Sequence, residues 1–90
     1  MDRYELMRGV IASQNFSKGE KLLILCVLTY SLCILSCSEK EIANRINLKS
    51  DRQVINILNS LHARKIVHYQ YRRNKYRIIS LNTEELEKAL

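Results

Sequence analysis

The chain has 90 residues, of which 47% are hydrophobic and 27% are charged, and its formal net charge is +6. This length indicates one domain with a single core. With no proline and only two glycines, the composition excludes a low-complexity chain and a glycine-rich phosphate-binding loop.

The positive charge is concentrated in one segment of the chain. Eight lysine and arginine side chains occur from Lys49 to Arg77, accompanied by one carboxylate, Asp51, whereas residues 1–48 contain six cations and five carboxylates. Clustered cations of this kind indicate a nucleic-acid partner. The alternative is a basic face that is simply solvated.

The N-terminal half predicts an arm followed by a buried helix. Residues 1–16 fit either a short strand or a loose helix. Ser17 and Glu20 have the spacing of a capping box, in which a hydroxyl and a carboxylate satisfy the first amides of a helix. The helix that follows, about Lys18–Leu35, is apolar nearly all round, so we expect it in the middle of the domain.

Two further capping-box spacings follow, Ser38 with Glu41 and Ser50 with Gln53. The first predicts a short second helix that ends at Asn47, a residue that tolerates the left-handed conformation after a helix. The second predicts a third helix over about 51–64. Its apolar residues recur at helical spacing: Val54, Ile57, Leu58 and Leu61.

From Ile66 the pattern alternates with a period of two, which predicts a β-hairpin with its tip at 72–75. Residues 82–90 read as a helical tail with Thr83 as its cap. The predicted organisation is therefore an N-terminal arm over 1–16, a folded unit over 17–81 and a C-terminal tail over 82–90.

The three cysteines, Cys26, Cys33 and Cys37, do not indicate a disulfide framework, because their number is odd and two of them fall in the apolar helix. No Cys-x-x-Cys spacing occurs, so we expect neither a metal nor another cofactor. A reducing cytoplasm suits this usage. The apolar run from Leu22 to Leu35 is too short to span a bilayer.

No catalytic constellation is evident in the sequence. The carboxylates fall at helix starts and in the tail, and His62 and His68 have no evident nucleophile beside them. We therefore expect a protein that is not an enzyme.

The polar side of the third helix suits DNA. A helix fits the major groove, where Arg52 would bond guanine and Gln53 or Asn56 would bond adenine. Ser50 at the helix start and Lys49 before it would contact phosphate. For any one of these residues, the alternative is an ordinary solvent-facing side chain.

The hairpin tip carries three crowded cations, Arg72, Arg73 and Lys75. Like charges at such short spacing repel one another, and a DNA backbone or a narrow minor groove would relieve the repulsion. The alternative is a hairpin edge that charge keeps soluble.

These motifs together resemble the winged helix-turn-helix superfamily over about residues 16–81. The segment from Ser50 through Val54 and Ile57-Leu58 to Ile66-Val67 is similar to regulators of the multiple-antibiotic-resistance type. The segment 15–23, followed by Glu41-Ile42-Ala43, looks closer to winged-helix modules of phage and plasmid replication proteins. Arg64-Lys65 stands where a glycine is usual in the superfamily.

The resemblance implies a mainly α fold, in which a three-helix core carries a small β-hairpin wing. It assigns base reading to Arg52, Gln53 and Asn56, and it assigns backbone contact to Lys49, Ser50, Arg72, Arg73 and Lys75. The implied function is that of a sequence-specific double-stranded DNA-binding protein, a transcriptional regulator of a phage, plasmid or microbial cell.

Regulators of this kind commonly bind as homodimers. We expect the arm and the tail to form the dimer contact, because their apolar residues have little obvious place in a lone winged helix: Tyr4, Leu6, Val10, Ile11, Leu86 and Leu90. Two alternatives stay open. One is an accessory DNA-binding protein of replication or recombination, and the other is a winged helix that binds protein instead of DNA.

Overall fold

The computed structural model describes residues 2–30, 34–72 and 76–90. It is mainly helical, with a small antiparallel hairpin, as the sequence predicts. Its elements in chain order are α1 (Arg3–Ala12), α2 (Lys18–Leu28), β1 (Ile34–Cys37), α3 (Glu39–Arg45), α4 (Asp51–Ala63), β2 (Val67–Arg72), β3 (Tyr76–Leu81) and α5 (Thr83–Ala89).

The central helix is shorter than its sequence predicts. It ends at Leu28, where the Thr29 hydroxyl donates to the carbonyl of Cys26 at 2.6 Å, so the predicted extension to Leu35 is wrong. The end of that apolar run is instead a strand, β1. A short apolar run has no periodicity that distinguishes a buried helix from a strand, and here pairing with β3 decides the outcome.

The hairpin therefore belongs to a sheet of three antiparallel strands in the order β1-β3-β2. Ile79 in the central strand lies opposite Leu35 on one side and Tyr69 on the other, and its side chain is fully buried. Strand β1, which precedes α3 and α4, thus pairs with the hairpin that follows these two helices.

The two ends of the chain pack onto the same core as the centre. The arm is a helix capped by Asp2, and its Leu6 and Val10 are buried together with Leu86 of α5. The Asn15 side-chain amide donates to the carbonyl of Ala89 at 2.8 Å. The expectation that these apolar side chains lack a place within one chain was therefore wrong for most of them.

The remaining apolar residues of the two ends differ in exposure. Leu90 packs on the core, whereas Tyr4 and Ile11 are 77% and 61% exposed.

The cap of α5 is Asn82, whose side-chain oxygen accepts from the amide of Glu85 at 3.2 Å. The prediction of Thr83 as the cap was therefore wrong by one residue.

In the part of the chain that the structure describes, two residues have a left-handed backbone, and each follows the end of a helix. Asn47 has φ 58° after α3, as predicted, and Lys65 has φ 62° after α4. At the second site the amide of Ile66 donates to the carbonyl of Leu61 and the amide of Lys65 to that of His62, both at 3.0 Å. This is a Schellman motif, which normally uses glycine at the left-handed position.

In residues 2–30, 34–72 and 76–90, the structure contains no helix that has the length and apolar character needed to cross a membrane.

We expect Lys65→Gly to raise the free energy of unfolding by about 1 kcal/mol, because glycine avoids the steric cost of the left-handed backbone. The side chain of Lys65 is exposed, so little packing is lost. Urea unfolding measures the change. Lys65→Ala is the matched control, since it removes the same charge and retains the cost; equal stability of the two variants would contradict the prediction.

Candidate nucleic-acid interface

The candidate interface is built on α4, which follows α3 after a short turn. Ser38 caps α3 by accepting from the amide of Glu41 at 3.2 Å, and the left-handed Asn47 lets the chain reverse. Val54, Leu58 and Leu61 on one side of α4 are fully buried. The opposite side of α4 is consequently directed to solvent.

The predicted base-reading residues are exposed on α4, although they do not share one line. Successive residues turn by about 100° around a helix axis, so Arg52 and Asn56 lie one turn apart on the outer face. Gln53 lies about 100° from Arg52, on one flank. All three side chains are exposed.

The predicted backbone contacts at the start of α4 also have defined positions. Lys49 is exposed and Ser50 is half-buried. The Ser50 hydroxyl accepts from the amide of Arg52 at 3.1 Å, so the predicted capping bond to Gln53 was wrong in its partner. The hydroxyl thus caps the helix directly beside the exposed cation of Lys49.

The wing-tip prediction lies mostly outside the described part of the chain. Arg72 is the last residue of β2, and the structure places its backbone only. Arg73 and Lys75 fall outside the described residues. Their proposed contact with the DNA backbone stays a prediction.

One flank of α4 is held by Glu20, a largely buried residue of α2 that is 8% exposed. Its Oε1 accepts from the amide of Ser17 at 2.9 Å, and the Ser17 hydroxyl accepts from the amide of Glu20, which completes the predicted capping box. Its Oε2 accepts from the Ser60 hydroxyl at 3.0 Å. One carboxylate therefore caps α2 and ties it to α4.

Two further contacts strengthen this flank. The Arg64 guanidinium lies 3.7 Å from Glu20 and donates to the carbonyl of Asn15 at 3.0 Å. Gly19 permits the close approach of the two helices, since a Cβ at this position would lie 2.7 Å from Cδ1 of Ile57. The orientation of α4 relative to α2 thus depends both on the ion pair of Arg64 with Glu20 and on the close packing at Gly19.

The other flank of α4 is attached to strand β2. The Tyr69 hydroxyl donates to Oδ1 of Asn59, and the His62 ring lies edge-on to the Tyr69 ring with centroids 5.1 Å apart. The His62 and His68 centroids are 5.8 Å apart. The exposed face of α4 therefore meets β2, an edge strand of the sheet, at Tyr69.

Sequence reasoning missed two cations that the fold brings near the turn. Lys18 and Arg45, from the start of α2 and the end of α3, line one pocket together with Asn47 and Leu48. Both side chains are exposed, and the Arg45 guanidinium lies 5.6 Å from the Tyr30 ring centroid. Periodicity within one helix cannot predict that these two side chains line the same pocket, because their relative position depends on how α2 packs against α3.

Cys26 of α2 lines a pocket together with Arg45. Burial raises the pKa of the Cys26 thiol above its usual value, against the opposing effect of Arg45, so the thiol stays protonated at neutral pH. Within the described ranges, no group of three or more His, Cys, Asp or Glu side chains is arranged to hold a metal ion. Cys33 lies outside those ranges.

Comparison with known proteins does not assign the chain to a family. None of the protein-family models, the curated proteins or the solved structures compared with the chain matches it.

We expect Glu20→Ala to lower the free energy of unfolding by about 2 kcal/mol, because it removes a helix-capping bond and leaves the Ser60 hydroxyl without its acceptor. Urea unfolding measures the loss. Glu20→Gln, which keeps one acceptor oxygen and the shape, is expected to lose less than half as much. Glu84→Ala on the exposed side of α5 serves as the control, and an equal loss in all three variants would refute the role of Glu20.

Proposed function

We propose that the chain is a sequence-specific double-stranded DNA-binding protein of the winged helix-turn-helix type, acting as a transcriptional regulator in a phage, plasmid or microbial cell. The observation that carries the proposal is the outer face of α4, where exposed Arg52 and Asn56 lie one turn apart opposite a fully buried apolar face. A helix anchored in this way presents polar side chains at a fixed angle.

The order of the elements supports the winged-helix assignment. Helix α2 and strand β1 precede the α3–α4 pair, and the β2–β3 hairpin follows it and pairs back onto β1. A helix-turn-helix places its second helix in the major groove, while the first crosses the backbone. In the proposed fold, α4 is the recognition helix and the hairpin is the wing.

The diameter of α4 and the hydrogen-bonding groups of its side chains both suit the major groove. The groove is about 12 Å wide and admits a helix of about 10–12 Å diameter. Arg52 supplies the paired donors that guanine accepts, whereas Asn56 and Gln53 each offer the donor and acceptor that adenine requires. In the proposed complex, Lys49 and Ser50 at the helix start contact phosphate.

The electrostatic support comes from the segment that includes α4 and the wing, where eight cations accompany one carboxylate. Most of the affinity for DNA comes from such charges through release of counterions. In the proposed complex, Arg72, Arg73 and Lys75 contact the backbone or the minor groove.

The proposal includes a homodimer that contacts DNA at two half-sites. Fewer residues support this homodimer than the sequence suggested, because Leu6, Val10 and Leu86 are buried within one chain. Tyr4 and Ile11 are exposed one above the other on α1 and supply the apolar surface for a second copy. Recognition helices in such dimers lie about 34 Å apart.

The decisive experiment is selection from a random-sequence duplex pool at two salt concentrations, followed by sequencing. Enrichment of a two-fold symmetric site is the expected result. Matches to that site over promoters in the genome that encodes the chain would assign regulation. Matches at a replication origin would assign the accessory role. Salt-sensitive binding without any enrichment would exclude specific recognition, and no binding at low salt would end the DNA proposal in favour of a protein partner.

Two substitutions separate specific from non-specific contacts on the selected site. Arg52→Ala is expected to cost about 1–3 kcal/mol and to relax the preference at one base pair. Lys49→Ala is expected to weaken all sequences alike and to reduce the slope of log K against log salt by about 0.9. Lys88→Ala, which removes an exposed cation from α5, is the control in both assays, measured by fluorescence anisotropy.

A further inference from the structure

The contact between Asn59 and Tyr69 has a direct consequence for the chemistry of the α4 face. Asn59 lies three residues beyond Asn56 and seven beyond Arg52, so the three side chains form a stripe along the outer side of the helix. Asn59 is exposed, whereas Tyr69 on β2 is half-buried. Asn59 thus lies where α4 meets the wing.

The hydrogen bond fixes which part of the Asn59 amide is available. The Tyr69 hydroxyl donates to Oδ1, so the carbonyl oxygen is directed toward β2. Both N–H donors are on the amide nitrogen, the branch of the group that this bond does not use. Asn59 therefore presents donors, while a freely rotating asparagine presents a donor and an acceptor side by side.

We infer that Asn59 is a further DNA-reading residue, held by Tyr69 so that its amide donors meet the acceptor edge of a guanine. This inference rests on the proposed function. Guanine displays two neighbouring acceptors, N7 and O6, in the major groove, whereas adenine displays an acceptor and a donor. Paired contact with adenine requires the asparagine oxygen to face the base edge, whereas the Tyr69 bond directs it toward β2.

The position along the helix identifies the base pair concerned. Three residues advance a helix by about 4.5 Å, close to the roughly 3.4 Å rise of one base pair. The guanine therefore lies about one step along the groove from the base that Asn56 reads. Tyr69 acts through Asn59 and is a positioning residue.

The test repeats the duplex selection with Asn59→Ala, Tyr69→Phe and the double variant. Asn59→Ala is expected to lose the guanine preference at that one position and to lower affinity for the selected site about tenfold. Tyr69→Phe releases the Asn59 oxygen, so adenine becomes acceptable at the same position. In the double variant, Tyr69→Phe has no further effect there, because the side chain that it positions is absent.

The controls separate this inference from folding and from the proposed function. Gln14→Ala removes an exposed amide from the segment between α1 and α2 and leaves every preference unchanged. Urea unfolding of each variant shows that it is folded in the assay, and a merely structural role of Tyr69 would not exchange guanine for adenine at one base pair.

Two results would overturn the inference. One is an Asn59→Ala variant that retains every base preference, and the other is one that weakens all sequences equally, as loss of a phosphate contact would. If Arg52→Ala still relaxes the selected site in those cases, the DNA-binding proposal stands and only the role of Asn59 fails. A wild-type chain that enriches no sequence overturns both.

Discussion

The structure depends on the burial of one face of α4. Val54, Leu58 and Leu61 are inaccessible to solvent, and each fully buried side chain of this kind contributes about 1.5–3 kcal/mol. Because these residues recur at helical spacing, their burial fixes which side of the helix meets water. The angular position of the outer face, and so of every polar side chain on it, follows from this packing.

Polar contacts on the two flanks refine what the apolar face establishes. On one side, Glu20 bonds Ser60 while it caps its own helix, and on the other, Tyr69 bonds Asn59. Hydrophobic contact is non-directional, whereas these bonds have a preferred geometry. The flanks therefore limit rotation of α4 about its axis.

The terminal helices have a structural role in this arrangement. Helix α1 packs against α2, and residues of α1 and α5 extend the same core, with Asn15 joined to the end of α5. Small domains bury a modest fraction of their surface, so additional helices on one core add stability that a hairpin and three short helices supply poorly. Among the large apolar side chains that the structure describes in α1 and α5, Tyr4 and Ile11 are the exposed ones.

Local sequence determined the elements whose signals are local. The Ser17 capping box, the amphipathic α4, the left-handed Asn47 and the alternating hairpin all follow from spacing within a few residues. Exposure of Arg52 and Asn56 was predictable for the same reason, because the apolar stripe of a helix indicates its opposite side.

Only the tertiary structure decided the features that depend on distant partners. Residues 34–37 form a strand because β3 offers unpaired backbone groups, which no local pattern reveals. The pairing of Glu20 with Ser60, separated by 40 residues, and the meeting of Lys18 with Arg45 depend on how helices pack. Likewise, the sequence shows Asn59 only as one of several polar residues on α4. The orientation of its side chain depends on the hydrogen bond from Tyr69 on β2.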